Sequence, residues 1–209
     1  MEDLNENELA AAREIITTGL KKAAESLSFF MKEKITIDNL DYYKNQEGPS
    51  WELLPKEDPN IHLLLTEIVG DLKGICCFIF SEKEANLLRN AALPAEITEN
   101  QDLMVEMSDA IMLEVDNIIT ASVITQFANI LKHKIHGGVP QLKKMTFDQL
   151  NKFVKSDKNK DLFSINFKTH FSTSKGNFNP EFLWLLDKRF TESIKKFTAE
   201  KNNLESSRV

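Results

Sequence analysis

The stretch from residue 5 to about 95 and the stretch from 101 to about 200 run through the same order of elements. Each is a long helix, a strand, a hairpin and a helix, and that repetition constrains the fold more than any other feature of the chain. In the first stretch, Asn5 and Glu8 form a capping pair, and Leu9, Ile16, Leu20, Leu27 and Phe30 then recur at helical spacing up to about residue 33. Strand-like "KITIDNLDYY" follows. A run of turn residues, "KNQEGPSWELLPKEDPN" (44–60), leads into "IHLLLTEIVGDLKGICCFIF", two strands joined by a Gly-Asp turn at residues 70 and 71. Ser81 and Glu84 then make a second capping pair, which opens a short helix ending at Pro94.

The second stretch has a long helix from about 101 to 132, Gly-Gly-Val-Pro at 137–140 and strand-like "FSINFKTHF". A turn at "STSKGN", the strand "EFLWLL" and a last helix after Asp187 follow. At an offset of 100, Ala10, Glu14, Lys32, Lys34 and Ile35 match Ala110, Glu114, Lys132, Lys134 and Ile135, and Ile15 faces Val115. Strands joined by tight turns pair antiparallel, and long amphipathic helices need a sheet to cover. The expectation is therefore an α+β fold: one pseudo-two-fold, duplicated domain over residues 1–209, with long helices packed on a mostly antiparallel sheet. Residues 201–209 form a polar tail.

A formal charge of −6 and a pI near 5.4 argue against a nucleic-acid partner, which needs clustered Lys and Arg to displace counterions. The basic fragments "LKHKIH" and "KSDKNK" are short and interrupted, and read as solvated surface. No uninterrupted apolar run approaches the roughly 18–20 residues of a membrane span, and the acidic start "MEDLNENELA" is unlike a secretory signal, so a cytoplasmic protein without membrane insertion is expected. Cys76 and Cys77 are adjacent and should point to opposite faces of one strand as small core residues.

The informative polar residues lie in "AIMLEVDN", residues 110–117. Residues three apart on a helix share a face, so Glu114 and Asn117 can reach one target, with Ala110 and Ala121 extending the same stripe. Met104, Met107, Ile111, Val115, Ile118, Ser122 and Ile130 are expected to form the opposite, core face. His133 and His136 lack further ligands for a metal and read as a solvated helix end. His62 and His170 fall in strands as structural or solvent-facing residues, Trp51 falls in a loop and Trp184 in the core. No Gly-rich phosphate loop, nucleophile elbow or Cys/His metal spacing is present in the sequence.

The segment "SDAIMLEVDNIITASVITQFANILKHKIHGGVP" resembles the signature of the CheC/CheX/FliY family of chemotaxis phosphatases, in which an acid, an amide three residues on and a later proline follow one another. Here these are Glu114, Asn117 and Pro140. "NELAAAREIITTGLKKAAESLSFFMKEKITI" and "GDLKGICCFIFSEKEANLL" resemble the first repeat of CheC, the two-repeat form, so the similarity covers nearly the whole chain.

The resemblance implies hydrolysis of the aspartyl phosphate of a CheY-type response regulator in two-component signalling. Asn117 would orient the attacking water, and Glu114 would pair with the regulator's active-site lysine. The regulator would bring the Mg²⁺, and this chain would need no metal of its own. A CheD-like protein and a second copy of the chain stay open as further partners.

Two departures stand out. Ala110 occupies a position where the family has Asp or Ser, with Asp109 about 100° away around the helix. The first repeat keeps Glu14 but has Thr17 in place of the amide and Leu40 in place of the proline, so that site is expected to be poor or dead. The alternative is a degenerate CheC-like binding or adaptor protein that docks on a receiver domain, or on a CheD-like partner, without turnover.

Overall fold

A computed structural model describes residues 4–42, 60–93, 101–156, 158–159, 161–174 and 176–206. The expected loop from 44 to 59 with Trp51, and the stop at Pro94, lie outside them, and Asn60 opens a strand rather than ending that loop. The elements run in the order α1 (Glu6–Met31), β1 (Thr36–Tyr42), β2 (Asn60–Gly70), β3 (Gly74–Ser81), α2 (Glu82–Ala92), α3 (Gln101–Leu131), β4 (Ile135–Gly137) and β5 (Gln141–Thr146). They continue with α4 (Phe147–Val154), β6 (Phe163–Thr173), β7 (Gly176–Phe178), β8 (Glu181–Leu186) and α5 (Lys188–Ser206). The fold is α+β, and every pairing among the described strands is antiparallel. One sheet runs β1-β6-β8-β3-β2-β4, with β5 also on β2 and β7 on β6.

Local chemistry sets the boundaries. Asn5, Ser81 and Thr146 each cap a helix through a reciprocal box with Glu8, Glu84 and Gln149, so the first free N–H groups of α1, α2 and α4 are satisfied. At the β2–β3 turn Gly70 adopts φ +120°, and a Cβ there would sit 2.1 Å from the Lys134 carbonyl oxygen, so only glycine fits. The same turn ties to the end of α3 by Asp71 N–H donating to Lys134 O (3.0 Å) and Lys134 N–H donating to Asp71 Oδ2 (2.7 Å).

The sheet separates two cores. Helices α1 and α3 cover one face, where Phe127 of α3 packs edge-on against Trp184 of β8 and Phe190 of α5, at ring-centroid distances of 5.6 and 5.1 Å. Trp184 is in the core, as its strand position predicts. Leu150 and Val154 of α4 cover the other face against Ile61, Leu63, Cys77, Ile79, Leu183 and Leu185. Cys76 belongs to the first core and Cys77 to the second; both are buried and free.

The long helices cross antiparallel. Gly19 of α1 meets Val123 of α3 so closely that a Cβ would lie 2.6 Å from the Val123 Cα. Lys22 donates to Gln126 Oε1 at 3.3 Å, and Ser26, Phe29 and Phe30 lie beside Ile118.

The core faces differ from the spacing-based reading in two places. In α3 the buried residues are Ile111, Met112, Val115, Asp116, Ile119, Thr120, Val123, Ile124, Gln126 and Phe127, whereas Met107 is exposed and Ile118, Ser122 and Ile130 are half-buried. A helix wedged between a sheet and another helix is buried over a wide arc, and a single apolar stripe underestimates it. In α1, Phe30 is exposed at the rim of a groove it lines with Ile118 of α3, while Ile16, Leu20 and Leu27 are buried as expected.

The stretch Met107–Leu131 has the length and mean hydropathy (1.2) of a membrane span, which the search for an uninterrupted apolar run passes over. Of its apolar 18-residue window, 56% is buried inside the fold, as in the core helix of a globular domain.

Candidate functional site

The polar residues of "AIMLEVDN" go to two different places. A step of two residues turns a helix by about 200°, so Asp116 leaves α3 on the side opposite Glu114. Asp116 is fully buried over the sheet, where its Oδ2 accepts from the Thr66 hydroxyl of β2 at 2.6 Å and its Oδ1 from the Thr120 hydroxyl at 3.3 Å. Burial pushes its carboxyl up to about 6, and the two hydroxyls hold it below where burial alone would leave it. Asp116 thus fixes the rotation of α3 on β2. In sequence, only the angle of Asp116 from Glu114 hints at its separate role.

With Asp116 turned inward, Ala110, Glu114, Asn117 and Ala121 form one exposed stripe along α3. Glu114 and Asn117 sit one turn apart on the same face, the acid and amide both in water and bordered by methyl groups. Among the described residues neither is engaged in a hydrogen bond or ion pair, so both are free to meet a partner. Such a pair can accept a cation on the carboxylate and hold a water on the amide, which both donates and accepts.

The N-terminal end of the stripe is braced. Arg89 of α2 is buried, donates to Asn86 Oδ1 at 2.9 Å and lies 3.3 Å from His62 Nδ1. It also pairs with Glu82 at 3.6 Å and reaches Asp109 of α3 at 3.9 Å. His62 is buried with its Nε2 2.6 Å from Glu82, and this hydrogen bond, more than any other contact, lowers the Glu82 carboxyl below its usual range. Asp109 is therefore committed to α2 rather than to the stripe, and Ala110 leaves the position before Glu114 without a polar group.

The matching residues of α1 are placed differently. Glu14 is exposed but pairs with Lys201 of α5 at 3.5 Å. The Thr17 hydroxyl donates back to the Arg13 carbonyl at 2.8 Å, on a turn where Tyr42 also donates to that carbonyl at 3.2 Å. The Arg13 guanidinium lies 4.9 Å from the centre of the Tyr42 ring, and burial pushes the Tyr42 hydroxyl up to about 12. Helix α5 is 19 residues long and reaches Glu14; α2 is 11 residues long and leaves Glu114 uncovered among the described residues. Leu40 lies in β1, half-buried against the core.

Pro140 lies at the edge of the sheet, away from the stripe. Strands β4 and β5 both pair with β2, and residues 138–140 interrupt them opposite Thr66 and Glu67, with Gly138 N–H donating to Glu67 O at 2.8 Å. Proline, with no N–H to give a ladder, is accommodated at such a break. The break faces the strand that carries Thr66, the hydroxyl partner of Asp116.

His133 Nε2 bonds the Ser193 hydroxyl at 2.7 Å, His136 is exposed in β4, and His170 hydrogen-bonds Asn179.

No protein-family model matches the chain, and no curated protein matches it in sequence. Solved structures do match its shape. FliY of Thermotoga maritima superposes with a TM-score of 0.67 at 16% identity, over 96% of this chain and 100% of that one. The chain has the fold of FliY and CheX. CheX in the CheX–CheY–BeF3–Mg²⁺ complex of Borrelia burgdorferi matches at TM-score 0.50 and 14% identity, over 83% and 97% of the two chains. The middle domain of FliM from H. pylori matches at TM-score 0.54 and 12% identity, over 94% and 99%.

Proposed function

We propose that this chain is a CheC-like member of the CheC/CheX/FliY family that removes the phosphoryl group from the aspartate of a CheY-type response regulator. The observation that carries the reading is the exposed stripe on α3, with Glu114 and Asn117 one turn apart, unpaired among the described residues, between two alanines. The shared fold with a CheX that is found in complex with CheY supports it.

In this reading the small residues let the regulator's active site come close to the helix. Glu114 pairs with the regulator's lysine and fixes the register of docking. Asn117 enters the site and orients a water in line with the phosphorus, which is most of what phosphoryl transfer asks of a protein. Mg²⁺ belongs to the regulator. The first-repeat pair does no work here: Glu14 is tied to Lys201 and the Thr17 hydroxyl is spent on its own helix.

The reading includes a cytoplasmic location and one domain made of two repeats. Exchanging β1, β2 and β3 for β4, β6 and β8 leaves the strand order unchanged, and both long helices end on a lysine of left-handed backbone, Lys32 and Lys132, which supports the repeat.

A second reading, a docking adaptor without turnover, draws on Ala110, which leaves Glu114 without a polar side chain four residues before it. Steady-state hydrolysis of a phosphorylated CheY-type receiver separates the two. A phosphatase has kcat removed by Asn117→Ala and KM raised by Glu114→Ala. An adaptor binds the receiver and releases no phosphate above its intrinsic decay.

A further inference from the structure

An open groove runs between the long helices α1 and α3. Its volume is about 790 Å³, and Ser26, Ser28, Phe29, Phe30 and Lys32 of the α1 end line it together with Ile118 of α3. Phe29 is 89% exposed and Phe30 38%, which makes Phe29 the most exposed large apolar side chain among the described residues.

Its position matters because Ile118 directly follows Asn117. The antiparallel crossing of α1 and α3 lays the end of α1 beside the middle of the stripe, so groove and stripe form one continuous surface. The stripe from Ala110 to Ala121 is only about 16 Å long and roughly 10 Å wide. That is on the order of 160 Å², against about 800 Å² that each partner contributes to a specific interface. A protein docked over Asn117 therefore has to cover the flanks of α3 as well. On one flank it meets an aromatic ring standing in water, a side-chain type enriched in the buried cores of interfaces.

We infer that the Phe29–Phe30–Ile118 groove is the affinity and specificity subsite for the same receiver domain, and that it takes an apolar side chain from the surface bordering the receiver's phosphorylated aspartate. This rests on the function proposed above. It divides the labour: Glu114 and Asn117 meet the phosphorylated pocket, and the groove supplies apolar burial that the hydrophilic stripe lacks. A second copy of this chain is the competing occupant. It would sit across the residue next to Asn117 and shut the stripe, which is at odds with a stripe that must open to a regulator.

The test is the affinity of the full chain for a CheY-type receiver held active with beryllofluoride and Mg²⁺, measured by titration calorimetry beside steady-state phosphate release. Phe29→Ser is expected to raise Kd and KM roughly tenfold, as loss of an aromatic anchor does. Its kcat should fall much less than in Asn117→Ala. Because Phe29 makes so little contact with the fold, thermal melting of the variant should overlay wild type, which separates lost docking from lost folding. If wild type binds and Phe29→Ser binds equally well, the groove assignment is overturned and the phosphatase reading stands. If wild type binds no receiver, the function and this occupant fall together. If sedimentation finds a dimer that Phe29→Ser dissociates while receiver affinity is unchanged, the groove is a self-interface and the inference is wrong.

Discussion

Replacing Asp116 with asparagine should change how the stability of this protein depends on pH, by an amount the structure sets. Asp116 is fully buried against β2, and its carboxyl is raised from 3.8 to about 6 by burial. Between those values the folded state holds a proton that the unfolded state has released. The stabilising effect of that proton is complete below about pH 4 and is lost as pH rises through 6. At about 1.4 kcal/mol per pH unit, the rise corresponds to roughly 3 kcal/mol of stability lost between pH 4 and pH 7.

Asparagine carries no charge at any pH and keeps an oxygen to accept from Thr66, so Asp116→Asn removes this contribution while preserving a hydrogen bond. The assay is urea unfolding of wild type and Asp116→Asn at half-unit steps from pH 4 to 7.5. The difference in unfolding free energy between the two proteins should drift by about 3 kcal/mol in favour of the variant as pH rises. Taking the difference cancels every other titrating group, Glu181 included. A difference that stays flat across the range would refute the claim that Asp116 titrates against a buried environment.

Other outcomes follow from the same geometry. Gly19→Ala places a methyl carbon 2.6 Å from the Val123 backbone, so it should lower the unfolding free energy by about 1–3 kcal/mol by overpacking the α1–α3 crossing, read by denaturant melts. Glu181 is buried with neither carboxylate oxygen hydrogen-bonded among the described residues, and burial raises its carboxyl to about 7, so its stabilising proton is lost as pH climbs from 4.5 through 7. Glu181→Gln should therefore stabilise the fold by about 1–3 kcal/mol at pH 8 and have little effect at pH 4. Asn117→Ala, on an exposed helix face, should shift stability by no more than about 0.5 kcal/mol, which makes it a clean probe of function.

Much of this fold is legible in the sequence, because its elements announce themselves locally. The capping boxes at Asn5 and Ser81, the Gly70–Asp71 turn and the apolar hairpin strands all stand where the pattern puts them. Strand β5 and helix α4 are not recovered by that reading. Their strand "QLKKMT" carries three charges or amides on a sheet edge, and the helix is only eight residues long, though Thr146 and Gln149 repeat the capping signal used elsewhere.

At the site, helical angle alone places Glu114 and Asn117 together on the exposed face. The same angle does not reveal that Thr66, fifty residues away in β2, holds Asp116 and so sets that face outward. Nor does it reveal that Phe30, which continues the apolar spacing of α1, stands at an exposed rim beside Ile118 rather than in the core. The ion pair of Glu14 with Lys201, from the far end of the chain, is another long-range fact.

The most direct measurement is phosphate release from a phosphorylated CheY-type receiver domain with Mg²⁺, comparing wild type, Asn117→Ala and Thr17→Ala. Wild type should accelerate release, Asn117→Ala should lower the rate roughly 100-fold toward the receiver's own decay, and Thr17→Ala should match wild type. Wild type that binds the receiver yet leaves its decay unchanged, or full activity in Asn117→Ala, would contradict the phosphatase reading.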